Sequence, residues 1–236
     1  MAERRGNPSL DRWLAVGVSL AAGAGLLYLG VPRLMAAIAN LPGDRVYTEV
    51  QDGFTPRREA FDTLLNARLE ATGWVEAGRD WTDVGAAHLL IARHERPPGE
   101  ADKAELAKAI AAIRKGLEIS PANPFAWARL ALVQYMHDGA PSATMAEYLK
   151  MSLVTGNFDE RLVLTRLDLC FRAFAYFGGD DRDLIRQQVR LAWGVSPNQV
   201  VEMGRNPLRR GFIAASLATL PEALASFESE VARRGG

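Results

Sequence analysis

The 236-residue sequence is poor in side chains that bind metals or form cross-links. It has one cysteine, Cys170, and three histidines. A lone cysteine excludes an intramolecular disulfide and a cysteine-based zinc site, and its apolar surroundings predict a core residue. His88 and His94 are too far apart to share a helix face as ligands at i and i+4 would, and no H-E-x-x-H motif is present. We therefore predict no metal site and no cofactor.

The sequence also lacks the common catalytic and phosphate-binding motifs. G-x-S-x-G, G-x-x-x-x-G-K and G-x-G-x-x-G are all missing. A glycan-processing enzyme would need a pair of carboxylates, and no spacing singles out such a pair. The 28 basic and 28 acidic residues balance to a net charge of zero, which gives no reason to expect nucleic acid as a partner. These absences favour a binding protein over an enzyme.

One long uncharged run is present near the amino terminus, over residues 13–31. About 20 apolar residues at 1.5 Å each cross a hydrocarbon layer of about 30 Å, so the run predicts a transmembrane helix. Trp13 and Tyr28 lie near its ends, where amphipathic rings prefer the interface. Arginines are slightly more numerous before the run than just after it (Arg4, Arg5, Arg12; Arg33, Arg45). This bias predicts a cytoplasmic amino terminus and a periplasmic remainder at a bacterial inner membrane.

Two other interpretations of this run stay open. A cleaved signal peptide would have a shorter apolar stretch and a cleavage site such as Ala37-Ile38-Ala39, but Pro32 and Arg33 intervene. A buried helix of a soluble protein is the other alternative. The anchor fits the length of the run best.

Beyond this run the apolar positions follow helical periodicity to the end of the chain, which predicts an all-α fold. Asp102 and Asn123 are predicted N-caps, and Glu105 completes a capping box with Asp102. One helix is predicted over 158–177, central in the core. The predicted organisation is a cytoplasmic N-terminus (1–12), a transmembrane helix (13–31), a juxtamembrane linker with one short helical stretch (32–56) and a helical domain (57–236).

Part of this domain resembles a tetratricopeptide repeat. Trp81-x-x-Val84-Gly85-x-x-His88 fits the first-helix pattern, Ala109, Ile113, Gly116 and Pro121 fit the second, and Trp127-x-x-Leu130-Ala131 restarts it. The first unit is about twelve residues longer than the motif, and the second is degenerate. The resemblance implies an α-α array of degenerate repeats, with a generic helical bundle as the alternative.

A later segment is similar to VpsP-type proteins, which are membrane-anchored proteins encoded beside exopolysaccharide-synthesis genes. The similarity covers roughly 80–205 and is carried by loose motifs, namely RQQVRLAW from Arg186 to Trp193, then Ser196-Pro197 and Val200-Val201. It implies a scaffold in envelope or exopolysaccharide assembly. It implies no catalytic residues.

Aromatic and arginine side chains are the candidate partner-binding residues. Tyr135 and Tyr148 are candidates for a concave peptide-binding surface. Arginines are frequent between residues 182 and 210, where their planar forks suit carboxylates and phosphates, so an anionic polymer or lipid surface is a further candidate partner. A solvated helix face explains the same run equally well. The residues selected are Tyr135, Tyr148, Arg186, Arg190, Arg209 and Arg210.

The function expected from these observations is a membrane-anchored helical-repeat scaffold that binds other envelope proteins. The alternative is a structural subunit of a larger inner-membrane complex, whose helices wedge between other subunits.

Overall fold

The computed structural model describes residues 8–54, 56–94 and 102–235. The chain divides into two compact units, the first ending at Glu76 and the second beginning at Ala77. Both units are helical, and the described residues contain no β-strand, so the predicted all-α class is confirmed.

The first unit is a hairpin of two helices, α1 (Pro8–Gln51) and α2 (Arg58–Trp74). Small and branched residues of α1 lie buried at a spacing of three and four, at Ala36, Ala39, Gly43 and Val46. A Cβ added to Gly43 would lie 3.1 Å from Leu64 Cδ1, so the two helices approach closely there. This spacing places one face of α1 against α2.

The predicted linker over 32–56 was wrong as far as Gln51, because α1 continues through it as one helix. Pro32 and Pro42 lie inside α1, although an interior proline costs a helix about 3 kcal/mol. Burial of the neighbouring face against α2 offsets that cost. The structure also groups α2 with α1, whereas the sequence assigned it to the later helical domain.

The amino-terminal part of α1 is exposed. Among the described residues, α1 is the one helix long and apolar enough to cross a membrane, and its most apolar stretch has a mean hydropathy of 2.0 with no part of it buried. A single membrane span and a signal sequence both fit this helix.

The second unit contains the remaining helices, whose packing builds two apolar clusters. The helices are α3 (Gly78–Arg93), α4 (Lys103–Ile119), α5 (Pro124–Asp138), α6 (Ala143–Thr155), α7 (Glu160–Arg172), α8 (Gly179–Val195), α9 (Pro197–Gly204), α10 (Pro207–Leu217) and α11 (Pro221–Gly235). Cys170 is fully buried in the cluster around α7, as predicted, and burial raises the pKa of its thiol to about 12.

Helices α3 and α4 form an antiparallel pair that depends on glycine. A Cβ on Gly85 would lie 2.4 Å from Ile113 Cγ1, and one on Gly116 would lie 2.6 Å from the Gly78 carbonyl oxygen. The start of α3 therefore lies beside the end of α4. At the other end of the pair, the Asp102 N–H donates to the Ala92 carbonyl at 2.9 Å.

The predicted N-caps are confirmed, but the capping box is not. Asp102 Oδ1 accepts from the N–H groups of Ala104 and Glu105, and Asn123 Oδ1 caps α5 in the same way. The Glu105 carboxylate does not bond back to Asp102. It accepts instead from Lys108 Nζ and lies 2.7 Å from His88 Nδ1 on α3.

The helix predicted over 158–177 is shorter and ends at Arg172. A single 3₁₀ turn, η1 (Phe174–Tyr176), follows it, and α8 begins at Gly179. The break redirects Phe174, whose ring lies 4.8 Å from that of Phe212 on α10. Contact between aromatic side chains from different helices therefore outweighs the continuation of α7.

Candidate partner-binding site

Three phenylalanines from different elements form an aromatic base on the second unit. Phe171 lies in the last turn of α7, Phe174 lies on η1, and Phe212 lies on α10. Their ring centroids are 4.8–6.4 Å apart, and the two contacts to Phe212 are edge-to-face. Such rings attract one another and bury one another only in part, which leaves ring faces available to other groups.

Arginines cover these ring faces. Arg182 lies 4.8 Å from the Phe174 centroid, Arg186 5.6 Å from Phe212, and Arg209 5.3 Å from Phe171. At the edge, Arg172 lies 5.5 Å from the Tyr135 ring and donates to its hydroxyl. A guanidinium over a ring is held there by cation–π attraction. We call this set the arginine–aromatic surface: Tyr135, Phe171, Arg172, Phe174, Arg182, Arg186, Arg209 and Phe212.

Local sequence explains how these side chains meet. Arg182 and Arg186 are four residues apart on α8, so they lie on one helix face. Asn206 caps α10 through its side chain, and Pro207 starts that helix. This start places Arg209 in the first turn and Phe212 one turn later, beside the end of α7.

The carboxylates of this surface do not balance its four positive charges. Asp168 accepts from Arg172 Nε at 2.8 Å and from Arg209 Nη1 at 3.0 Å, and Asp183 pairs with Arg186. The hydrogen bond to Asp168 raises the pKa of Arg172. Arg182 has no ion pair among the described residues, and its buried Nε has no hydrogen-bond partner there. The surface therefore has four guanidinium groups and two carboxylates.

The structure brings together three of the six residues selected from the sequence, namely Tyr135, Arg186 and Arg209. Arg190 donates instead to the Ser216 carbonyl at 3.2 Å, and Arg210 to the Gly204 carbonyl at 3.1 Å. These two arginines tie helices together within the unit.

Tyr148 lies in a different place. Its hydroxyl accepts from Arg114 Nη2 at 2.6 Å, and its ring lies 5.9 Å from that of Trp127. The Trp127 indole N–H donates to the Pro121 carbonyl at 2.7 Å. This aromatic pair therefore joins the α4–α5 turn to α6 and is separate from the arginine–aromatic surface.

Sequence reasoning missed the phenylalanines and Arg182 as members of one site. The i, i+4 spacing of Arg182 and Arg186 was a usable signal. Neither the meeting of α7, α8 and α10 nor the break at Arg172 has a local sequence signal. The described residues contain no group of three or more His, Cys, Asp or Glu side chains placed to hold a metal ion.

Comparison with known proteins does not assign a function to the site. No protein-family model matches the chain, and no curated protein is significantly similar to it.

Proposed function

We propose that the protein is a membrane-anchored scaffold that binds a partner protein through the arginine–aromatic surface. The observation that carries this proposal is the excess of guanidinium groups held over partly buried aromatic rings, with Arg182 lacking an acidic partner among the described residues. Arginine and aromatic residues dominate the energetics of protein interfaces. Guanidinium forks bind carboxylates with two parallel hydrogen bonds. The partner therefore presents an acidic segment.

The membrane part of the proposal concerns α1. In this proposal residues 13–31 form a single span of the bacterial inner membrane, with residues 1–12 in the cytoplasm and the second unit in the periplasm. The full exposure of this stretch supports a lipid environment, since it has no protein partner within the described chain. The positions of Trp13 and Tyr28 support its depth.

We also propose that the second unit is a degenerate tetratricopeptide-like array. The antiparallel α3–α4 pair supports this, because Gly85 and Gly116 occupy the small-residue positions of the motif and allow close helix approach. The hydrogen bond from Trp127 to Pro121 supports a repeat boundary at that turn. Assembly of the cell envelope or of an exopolysaccharide is the proposed setting, and it rests on the resemblance of residues 80–205 to VpsP-type proteins.

Binding to an acidic segment is tested with the purified full chain in detergent and a fluorescent deca-glutamate peptide. The double variant R182A/R186A should bind the peptide at least about tenfold more weakly, because each charge-assisted contact contributes about 1.5–3 kcal/mol. R205A is the matched control, since Arg205 also pairs with an acid three residues away and is similarly exposed. Equal loss in R205A would indicate general electrostatics only. Preference for an anionic polysaccharide such as alginate would contradict a protein partner.

The partner itself is identified by photo-crosslinking in cells that produce the full chain. A photoreactive residue at the exposed Ala175 position, beside Phe174, should capture a specific protein. The same residue at Glu118 on α4 should not. Capture should disappear in R182A/R186A and persist in R205A. A partner that co-purifies in a fixed ratio with both variants would instead indicate a structural subunit of a larger complex.

Membrane insertion is tested separately by alkaline carbonate extraction. The full chain should remain in the membrane pellet, and deletion of residues 13–31 should release it to the soluble fraction with its helical circular dichroism retained. Retention of the deleted chain in the pellet would contradict the anchor.

A further inference from the structure

Helix α1 has a second apolar face beyond its uncharged run. One face, which includes Ala36, Ala39 and Gly43, is buried in the hairpin with α2. On the opposite face, Leu34, Ile38 and Leu41 are 59%, 48% and 63% exposed. These three large side chains follow the uncharged run of residues 13–31, so water would contact them if nothing covered them. Burial of leucine and isoleucine side chains away from water favours association.

This exposed face continues without a break into the uncharged run. Spacings of four and three residues connect Leu34, Ile38 and Leu41 to a series of apolar positions that begins at Trp13. Leucine recurs every seven residues at Leu20, Leu27, Leu34 and Leu41, and the intervening positions are Gly17, Ala24, Val31 and Ile38. We call these eight residues the α1 seam. All are exposed, and Arg45 and Thr48 occupy the next two positions of the repeat and end it.

The seam has the residue types of a parallel two-stranded coiled coil. In heptad notation the leucines are at d, and Val31 and Ile38 are at a. Branched residues at a with leucine at d favour two parallel strands. Gly17 and Ala24 occupy the a positions within the uncharged run, where small residues let transmembrane helices approach closely.

We infer that the α1 seam binds the α1 seam of a second copy of this chain, so that the protein is a parallel homodimer. The partner must be a helix that leaves the membrane in the same direction as α1 and remains apolar for three turns outside it. A second copy meets this condition, because both copies insert with the same orientation and present identical residues at identical depths. Helix α2 lies on the opposite face of α1 and leaves the seam accessible. The inference rests on the proposed membrane insertion and is independent of the arginine–aromatic surface.

Cysteine cross-linking in membranes tests this arrangement with the full chain. In a C170A background, L34C, I38C and L41C should each form a disulfide-linked species at twice 25.8 kDa after mild oxidation, because each residue faces its own copy across a parallel seam. N66C, at an exposed position of α2, is the control and should stay monomeric. Monomers in all seam variants would overturn the dimer. So would equal cross-linking of N66C, or a seam-linked species of another mass.

Charged substitutions outside the uncharged run provide a second measurement. I38E and L41E should halve the mass of the detergent-extracted protein relative to the wild type and to N66E. Because both side chains are already exposed in one copy, helical circular dichroism should not change. A dimeric mass in both variants would contradict the inference. Carbonate extraction of the same variants distinguishes failed membrane insertion from failed dimerisation. Failed insertion would release the protein from the membrane pellet, whereas failed dimerisation alone would leave it there.

Discussion

Among the residues that the structure describes, each of the two units buries one arginine, and the two arginines are held in different ways. In the first unit, Arg68 donates to Asn40 Oδ1 and Asp44 Oδ1, both at 2.6 Å, and the Asp44 side chain is 56% exposed. In the second unit, Arg166 is fully buried and contacts no carboxylate. It donates to the carbonyls of Ser152, Gly156 and Asn157 and to Gln188 Oε1.

The difference follows from the thickness of the two units. In a two-helix hairpin every side chain lies close to water, so Arg68 can pair with Asp44 at the edge of the hairpin. Arg166 belongs to α7, and its guanidinium lies beside the carboxyl end of α6, where the backbone carbonyls carry partial negative charge. These carbonyls accept from it in addition to their own backbone donors. Burial lowers the pKa of Arg166, but an arginine stays protonated in proteins and so supplies donors for these carbonyls. One arginine therefore forms an ion pair, while the other caps a helix belonging to a different part of the chain.

The largest expected effect is that of R166M. Loss of the guanidinium removes the four hydrogen bonds of this buried side chain and leaves Gln188 Oε1 without a donor, so we expect the free energy of unfolding of the second unit to fall by about 3–5 kcal/mol. Urea titration followed by circular dichroism measures this. R161M is the control, because Arg161 is 77% exposed and contacts Asp159 and the Phe125 ring at the surface, and it should change stability by about 1 kcal/mol or less. Similar values for the two variants would show that Arg166 has no capping role.

Close helix approach gives the next comparison, between G85A in the second unit and G43A in the first. The added methyl group at position 85 would meet Ile113 Cγ1 at 2.4 Å and the Ala109 carbonyl at 3.0 Å, whereas at position 43 its nearest contact is Leu64 Cδ1 at 3.1 Å. Overpacking of this kind costs about 1–3 kcal/mol, so G85A should be destabilising. G43A should be less destabilising than G85A, because the end of Leu64 can move, alanine favours the helix, and the remaining contacts, 3.2 Å to Ala67 Cβ and 3.4 Å to the Leu64 carbonyl, are less tight.

The matched control for these variants is G211A on α10. A methyl group there would meet no atom within 4 Å, so the helix should gain about 0.5–1 kcal/mol. Thermal unfolding and amide hydrogen exchange in each unit measure all three variants. Equal destabilisation by G85A and G43A would remove this difference between the units.

Salt dependence distinguishes the two buried arginines further. R68M should destabilise the α1–α2 hairpin by about 1–2 kcal/mol at low salt, as seen in faster hydrogen exchange of α2 amides. Because Asp44 is half-exposed, raising the salt concentration to about 1 M should reduce that difference between wild type and variant. The effect of R166M should be unchanged by salt. Salt sensitivity of R166M would mean that water reaches that site.

The sequence predicted features that depend on neighbouring residues. The N-caps at Asp102 and Asn123, the apolar periodicity and the buried Cys170 all follow local patterns, and the structure confirms them. The antiparallel α3–α4 pair agrees with the small residues noted at Gly85 and Gly116. These features can be predicted from the sequence because each of them depends on one residue type at a fixed spacing.

Features that depend on distant residues were missed. Pro42 indicated a linker, yet burial of its neighbour Gly43 against α2 keeps α1 helical. The burial of Arg166 could not be predicted, because its carbonyl acceptors at the end of α6 are not evident from its own neighbours. The arginine–aromatic surface similarly requires α7 to end at Arg172 so that Phe174 can turn toward Phe212. Tertiary packing decides each of these points.

The smallest expected effect is that of removing the charge of Glu105, a mostly buried acid of the second unit. Glu49, an exposed acid of the first unit, provides the comparison. Burial raises the pKa of Glu105, but hydrogen bonds from Lys108 and His88 outweigh it and hold this pKa below its usual range. Its stabilisation is therefore complete above the ordinary pKa of glutamate and is lost as pH falls through the lower folded-state pKa. E105Q should cost about 1 kcal/mol or less at pH 7 and reduce the acid-induced loss of stability. E49Q is the control, because it removes only the exposed partner of Arg45, and its stability should match that of the wild type at each pH. If E105Q lost stability in acid as much as the wild type does, Glu105 would contribute nothing to the acid-induced loss.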